Sequence, residues 1–149
     1  MADVMLTREG VRLGVTAKDR THAIQQAGEV LVEIRAVETP YVEAMHEREK
    51  VLSSYVGEEF ALPHGTDQSR VHVMRSAVVF LQVPDGVDWE GDNVRACIAI
   101  AAQSNEHTDV MARLAGVLLN ADKAELLRST TNPDDVLEIL EPERTGSEA

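Results

Sequence analysis

The sequence is short of cysteine, aromatic residues, basic residues and long apolar runs. Its one cysteine, Cys97, excludes an internal disulfide, and the absence of a signal-peptide pattern predicts a cytoplasmic protein. Lys and Arg number 14 against 26 Asp and Glu, and the net charge of -12 argues against binding to nucleic acid or to an anionic membrane surface. No apolar run approaches the length that crosses a bilayer, so direct membrane insertion is not expected.

The rest of the composition is typical of a globular domain. Hydrophobic residues make up 44% and charged residues 27% of the 149 positions, and aromatics only 3%. The core must therefore rest on Leu, Val, Ile and Ala. This length suits one domain over residues 1–149, with an ordered core over about 7–140 and a disordered tail over 141–149.

Several segments carry the start signals and the three- and four-residue apolar spacing of amphipathic helices. In the helix predicted to begin at Thr39-Pro40 we expect Val42, Met45 and Leu52 to face the core, with Arg48 near the same side. Pro is tolerated at the first position of a helix, and Asn is a good N-cap. The predicted helix starts are Thr16, Thr39-Pro40, Asn105, Asp122 and Pro133.

Two nearly continuous apolar runs, Ser76–Val83 and Val94–Ala102, are typical of strands that are covered on both faces. Pro84-Asp85-Gly86 predicts a turn after the first run. Helices before, between and after the strands predict an α/β fold, a β-sheet with helices on both faces in a three-layer α-β-α sandwich. Three shorter strands are predicted at Val11–Leu13, Phe60–Leu62 and Val87–Trp89.

The segment Gly57–Thr66 places His64 where a short strand ends. Pro63 lacks a backbone donor, so we expect the strand pairing to end there, and Gly65 can adopt a backbone conformation that other residues resist. Thr66 adds a hydroxyl group beside the imidazole. This pattern could hold one ring nitrogen of His64 and present the other. An ordinary histidine in a turn is equally compatible with these residues alone.

His107 stands at the start of the helix that follows the strand Val94–Ala102. If that strand and the one before His64 are neighbours and point the same way, the two imidazoles meet, and Arg48 could supply a fixed cation. Such a trio suits a phosphoryl group. An imidazole is a nucleophile near neutral pH, and a guanidinium and a helix N-terminus both bind phosphate oxygens.

Other interpretations of these residues stay open. His107 could pack at a helix start without binding phosphate, and Arg48 could form a surface ion pair with Glu47 or Glu49. A zinc site on the two histidines would need a third and a fourth ligand, which appear at no useful spacing. Cys97 is expected to be a buried core residue. The remaining histidines are expected to be ordinary surface or edge residues: His22, His46 and His72.

Three motifs occur in order: Arg48-Glu49, then Gly57–Thr66 with its ending Ala-Leu-Pro-His-Gly-Thr, then Asn105-Glu106-His107. Together they resemble the IIA domains of the mannitol/fructose class of the phosphoenolpyruvate-dependent sugar phosphotransferase system. The resemblance extends from about Thr7 to Leu140. The segment 101–107 is most similar to the mannitol branch, while residues 84–89 would also suit the fructose relatives. It implies a mixed β-sheet between two layers of helices. Glu58-Glu59-Phe60 departs from the family pattern, and its charge could tune partner docking or the stability of phosphohistidine.

The resemblance also implies a function. In this family the histidine after Pro takes phosphate from the small carrier HPr and passes it to a cysteine of a IIB domain, while the sugar crosses through the membrane component IIC. His64 matches that histidine, and His107 and Arg48 match the residues that stabilise its phosphorylated state. No cofactor or metal is implied. Two rival functions are a regulatory, nitrogen-type module in which the phosphorylation state of His64 controls a partner, and a metal-dependent hydrolase.

Overall fold

The computed structural model of the protein describes residues 5–103 and 106–140, and five strands in this part of the chain form one sheet. The strand order across the sheet is β1-β4-β5-β3-β2. The strands are β1 (Val11–Arg12), β2 (Tyr55–Gly57), β3 (Phe60–Ala61), β4 (Ala77–Trp89) and β5 (Asp92–Ala101). The helices are α1 (Arg20–Glu33), α2 (Pro40–Val51), α3 (His107–Leu118), α4 (Ala121–Ser129) and α5 (Pro133–Leu140).

The sheet is mixed, as the resemblance implies. Strand β4 pairs with β5 in antiparallel orientation, whereas β1 with β4 and β3 with β5 are parallel. Alternate residues of β4 enter two different cores, because successive side chains of a strand point to opposite faces. Val79 and Leu81 pack with α1 and α2 on one face, and Val78 and Phe80 pack with α3, α4 and α5 on the other. The predicted three-layer α/β class is therefore confirmed.

The prediction of a turn at Pro84-Asp85-Gly86 is wrong. These residues lie inside β4, where the register with β5 shifts between Gln82 and Val87. Such a bulge adds residues to one strand and bends it without reversing the chain. The reversal comes later, at Glu90-Gly91, where both residues have positive φ, as a type I′ hairpin turn requires. The strand predicted over residues 87–89 is thus the end of β4.

The start of the first helix also differs from its prediction. Helix α1 begins at Arg20 instead of directly after Thr16. Asp19, predicted as the acidic residue of the first turn, is itself the N-cap, and its carboxylate accepts a hydrogen bond from the backbone N–H of His22 at 2.8 Å. An Asp with extended backbone satisfies this helix end directly, so the upstream Thr is not needed as a cap.

Helix α2 begins at Pro40 with Thr39 at its N-cap, as predicted. Met45 is buried as expected, but Leu52 is 63% exposed, which contradicts its predicted inward direction. The reason is local, since the helix ends at Val51 and Leu52 has an extended backbone with φ of -156°. Helical spacing no longer decides where its side chain points.

The acidic pair Glu58-Glu59 forms the turn between β2 and β3, and both residues have positive φ. Glu59 lies 3.4 Å from the guanidinium of Arg95 and 3.7 Å from that of Arg128. This turn is at the end of β3 opposite to His64. The predicted influence of these charges on partner docking stays a prediction.

Two sequence predictions fall on residues outside the described ranges: the N-cap at Asn105 and the tail over residues 141–149. Within residues 5–103 and 106–140, no helix combines the length and the apolar character needed to span a bilayer.

Candidate functional site

The ends of β3 and β5 bring the two predicted histidines to one edge of the sheet. These strands are parallel neighbours, with Ala61 opposite Cys97. The pairing does not end at Pro63 as predicted, because the carbonyl of Pro63 still accepts a hydrogen bond from Ile100 N–H at 2.9 Å. His64 then forms one more bridge with Ile100. A proline removes a donor from a strand but leaves its acceptor.

The two imidazoles meet at this edge. The ring centroids of His64 and His107 lie 4.9 Å apart, and the ring planes are tilted by 55°. His107 is the first residue of α3. The predicted proximity of the two rings is confirmed, although their chemical roles stay predictions.

The tautomer of His64 follows from its hydrogen bond. The Nδ1 atom lies 2.8 Å from the backbone carbonyl oxygen of Leu62. A carbonyl oxygen only accepts, so Nδ1 must carry the proton and donate it. The lone pair is thereby assigned to Nε2. One ring nitrogen is fixed by the backbone and the other can act as a nucleophile.

An open cavity of about 270 Å³ lies beside the two rings. Arg48, Val51 and the loop 65–68 complete its wall. The Nη1 atom of Arg48 donates to the carbonyl of Leu52 at 2.6 Å, which holds the guanidinium at the end of α2. The cavity therefore contains two imidazoles and one cation, and a phosphoryl group fits these chemical features.

The alternative partners considered for Arg48 are engaged elsewhere. Glu47 lies 3.5 Å from the ammonium group of Lys50. Glu49 is buried, and its carboxylate accepts hydrogen bonds from the hydroxyl of Ser54 at 2.7 Å and from the indole N–H of Trp89 at 2.8 Å. The second residue of the Arg48-Glu49 motif thus anchors the end of α2 to the core.

Tyr41 is a site residue that the sequence analysis missed. Its buried hydroxyl donates to the carbonyl of Ile100 and accepts from the N–H of Gly65, both at 2.9 Å. Burial raises the pKa of Tyr41, so the phenol keeps the proton that it donates. Helix α2 therefore fixes the loop that follows His64. The available signal was spacing, because Tyr41 precedes Arg48 by seven residues, about two helical turns.

The reason predicted for Gly65 is wrong. Its φ is not positive, and the constraint is space instead. A Cβ atom on Gly65 would lie 2.4 Å from Oγ of Ser69 and 2.6 Å from Cε1 of Tyr41. The hydroxyl of Thr66 also serves the loop, since it accepts from the N–H of Ser69 at 3.2 Å.

This crowding predicts opposite effects of alanine at two glycines. Gly65→Ala should lower the free energy of unfolding by about 1–3 kcal/mol, the usual cost of overpacking, because the ring of Tyr41 cannot move without losing its hydrogen bonds. Gly116→Ala is the matched control: it lies inside α3 with open space around it and should raise stability by up to about 1 kcal/mol. Urea denaturation of both variants and of wild type measures these changes in the free energy of unfolding. A Gly65→Ala protein as stable as wild type would show that the loop yields freely.

The electrostatics of the cavity favour neutral imidazoles. Burial lowers the pKa of His64 and is the largest effect. The hydrogen bond to Leu62 and the charge of Glu49 raise that pKa, while the charges of Arg48 and Arg70 lower it further. Burial is also the first cause that lowers the pKa of His107, followed by the proximity of His64 and of Arg70. At neutral pH both rings are therefore uncharged, as a nucleophile requires.

These shifts predict a pH dependence of stability. A histidine whose folded pKa lies below its unfolded value of about 6.5 binds protons more readily in the unfolded chain. The contribution of His64 and His107 to the free energy of unfolding should be complete above about pH 6.5 and decrease as the pH falls towards their folded pKa values. NMR titration of the ring protons should give both midpoints below 6.5. Midpoints above 6.5 would contradict the burial argument.

Three other sequence predictions concern residues away from the cavity. Cys97 is fully buried in the sheet, and burial raises its pKa to about 12, so its thiol is an inert core group as expected. His46 is hydrogen-bonded to Gln25 at 2.9 Å, and His72 lies 2.9 Å from a carboxylate oxygen of Glu38. No three His, Cys, Asp or Glu side chains of the described ranges lie close enough together to hold a metal ion.

Comparison with known proteins identifies the class to which this fold and site belong. A family model described as "Phosphoenolpyruvate-dependent sugar phosphotransferase system, EIIA 2" matches residues 4–142. The chain belongs to that family of phosphotransferase components.

One relative is similar to this chain over nearly its whole length, and another contains a similar region within a larger protein. The mannitol-specific phosphotransferase enzyme IIA component of Halalkalibacterium halodurans is 36% identical over 140 residues, which cover 94% of this chain and 97% of the relative. The mannitol-specific EIICBA component of Vibrio cholerae is 40% identical over 138 residues. That match covers 91% of this chain but 21% of the relative, so the similarity is to one part of a larger protein.

Solved structures confirm the fold. The complex of enzyme IIA and phosphorylated enzyme IIB for mannitol from Escherichia coli contains a chain with a TM-score of 0.86 and 40% identity, covering 93% of this chain and 99% of that one. The nitrogen regulatory protein IIA-Ntr of Neisseria meningitidis has a TM-score of 0.76 at 21% identity, with coverage of 91% and 96%. The second likeness concerns the fold alone.

Proposed function

We propose that this chain is a cytoplasmic phosphocarrier for mannitol or a related sugar, that it accepts phosphate from phospho-HPr on His64, and that it passes the phosphate to a cysteine of a IIB domain. The observation that carries the proposal is the single cavity that joins His64, His107 and Arg48, with the two ring centroids 4.9 Å apart. A IIC permease would move the sugar, and this chain acts on it only indirectly.

The first transfer uses the tautomer that the backbone fixes. The lone pair on Nε2 of His64 forms a bond to phosphorus, and the bond between phosphorus and the donor imidazole of HPr breaks, leaving its electron pair on the donor nitrogen. The proton on Nδ1 stays in place, because the carbonyl of Leu62 accepts its hydrogen bond at 2.8 Å. The product is an imidazolium phosphoramidate, whose positive ring is stabilised by that carbonyl.

The same proton prepares the second transfer. A protonated ring is a good leaving group, so a IIB thiolate can attack phosphorus while the electron pair of the P–N bond returns to Nε2. His64 then regains its original tautomer without any proton movement. The buried thiol of Cys97 cannot replace the partner's cysteine, since it is inaccessible and its pKa is raised to about 12.

The surface beside the cavity suits a protein partner. Val51 lines the cavity and is 83% exposed, and Leu52 follows it on the same exposed end of α2. Val71 is 81% exposed in the short turn after the loop. An exposed apolar side chain in the wall of a cavity that holds a reactive group favours contact with a protein partner. The net charge of -12 favours partners that present basic residues around an apolar centre.

A reconstituted transfer assay tests the proposal. Phosphoenolpyruvate, enzyme I and HPr should phosphorylate the chain, and adding a mannitol-type IIB should discharge it faster than adding a fructose-type IIB. The mannitol assignment is supported by relatives of that name at 36% and 40% identity. Phosphorylation without discharge to any IIB would instead favour the regulatory alternative. No phosphorylation at all would refute the phosphocarrier function.

A further inference from the structure

A second arginine, Arg70, lies in the short 3-10 turn that follows the loop after His64, and it pairs with a residue of the cavity wall. Asp67 lines the cavity together with His64 and His107. One carboxylate oxygen of Asp67 lies 3.1 Å from Nη2 of Arg70. The two side chains differ in environment, because Asp67 is 85% exposed whereas Arg70 is 26% exposed. The guanidinium is therefore one side chain away from the space that a phosphoryl group on His64 would occupy.

The backbone of this loop is held by its own hydrogen bonds. Ser69 donates from its N–H to the hydroxyl of Thr66 and from its hydroxyl to the carbonyl of Thr66, at 3.2 Å and 2.6 Å. The residues from Gln68 to His72 form a short 3-10 turn. The base of Arg70 is thus fixed, and only the end of its side chain is committed to Asp67. An ion pair with one exposed partner is weak and can exchange.

The electric field of Arg70 already reaches the site. Its charge helps to lower the pKa of His64 and of His107, although burial has the larger effect on both and the charge of Arg48 has the larger effect on His64. A positive charge that disfavours a protonated imidazole equally favours a negative group bound to that imidazole. A phosphoryl group carries close to two negative charges at neutral pH, against one for a carboxylate.

We propose that Arg70 is a second phosphate-binding cation, which Asp67 holds while His64 is unphosphorylated and releases when the phosphoryl group enters the cavity. This inference rests on the proposed phosphocarrier function. The guanidinium exchanges one anionic partner for another, and no covalent bond changes in this step. The exchange also explains an acidic side chain in the wall of a phosphate cavity. Asp67 weakens phosphate binding, so that His64 can pass its phosphoryl group on.

The equilibrium between phospho-HPr and this chain tests the exchange directly. The phosphorylated fraction is measured by intact mass at several ratios of phosphoenolpyruvate to pyruvate. Arg70→Gln should lower the equilibrium constant for accepting phosphate by about tenfold, because one charge-assisted hydrogen bond is lost. Asp67→Asn should raise it by about threefold, since Arg70 no longer leaves a carboxylate and the repulsion disappears.

A remote ion pair provides matched controls. Arg12 and Glu33 lie 3.0 Å apart at the surface. Arg12→Gln and Glu33→Gln change the net charge exactly as the two test variants do, and both should leave the equilibrium constant within about twofold of wild type, because exposed distant charges are screened. An Arg70→Gln protein that behaves like Arg12→Gln would overturn the proposal.

The double variant separates exchange from simple repulsion. If Asp67 acts by holding Arg70, Asp67→Asn should raise the equilibrium constant less in the Arg70→Gln background than in wild type. Equal effects in both backgrounds would refute the exchange. Circular dichroism checks that each variant folds. If Arg70→Gln does not fold, Arg70→Lys replaces it; this variant keeps the positive charge, so its equilibrium constant should fall by less than tenfold. A complete loss of phosphorylation in Arg70→Lys would contradict the proposal that Arg70 acts through its charge. Failure of wild type to be phosphorylated would instead refute the proposed function itself.

Discussion

A His64→Gln variant is expected to take up no phosphoryl group from phosphoenolpyruvate, enzyme I and HPr. Glutamine keeps a polar side chain of similar length but has no nucleophilic nitrogen, so the acceptor is removed with little change of volume. The fold should persist, because His64 is a half-buried residue at the sheet edge and contributes one side-chain hydrogen bond, to Leu62. Intact mass after incubation with the donors measures the loss, which should be complete.

Two comparisons make this result specific. His22→Gln removes a histidine on α1 and should leave phosphorylation unchanged. His107→Gln keeps the acceptor and should reduce the rate only. Undiminished labelling of His64→Gln would refute the assignment and place the acceptor elsewhere. Labelling that disappears only when both His64 and His107 are replaced would show that the second ring can accept the phosphoryl group.

The sequence predicts that each of the two histidines follows an apolar strand, and that their rings meet if those strands are parallel neighbours. Both Phe60–Ala61 and Asp92–Ala101 are strands, and they are parallel neighbours. Parallel neighbours end at the same edge of a sheet, so whatever follows them is brought together. The α/β class follows from the same alternation of apolar runs and amphipathic helices. The two strands were thus predictable from local patterns, whereas their parallel pairing comes from the structure.

Features that depend on packing were not predictable in this way. Spacing places Tyr41 two helical turns before Arg48, but only the structure shows that its hydroxyl joins Gly65 to Ile100. Pro84-Asp85-Gly86 has the composition of a turn. Because β4 pairs with β5 on both sides of these residues, they form a bulge instead of a chain reversal. Arg70 has no motif of its own, because its place beside the cavity depends on the short turn that contains it.

Arg48→Ala is expected to leave a folded protein that passes phosphate on slowly. In the cavity the guanidinium can form charge-assisted hydrogen bonds to the phosphoryl oxygens, and losing one costs about 1.5–3 kcal/mol, or about 10- to 100-fold in rate if the bond is made in the transition state. The cost to stability should be about 1 kcal/mol, since the side chain contributes one hydrogen bond, to the carbonyl of Leu52 at the end of α2. Single-turnover transfer from phospho-HPr measures the rate, and thermal denaturation measures the stability.

Arg48→Lys and His107→Ala complete this test. Lysine keeps the positive charge but lacks the planar fork that matches two phosphate oxygens, so its rate should lie between those of Arg48→Ala and wild type. His107→Ala should also be slow, because the ring 4.9 Å from His64 no longer contacts the anion. If Arg48→Ala and His107→Ala both transferred phosphate at the wild-type rate, the convergence of the three side chains would have no chemical consequence, and the site would reduce to His64 alone.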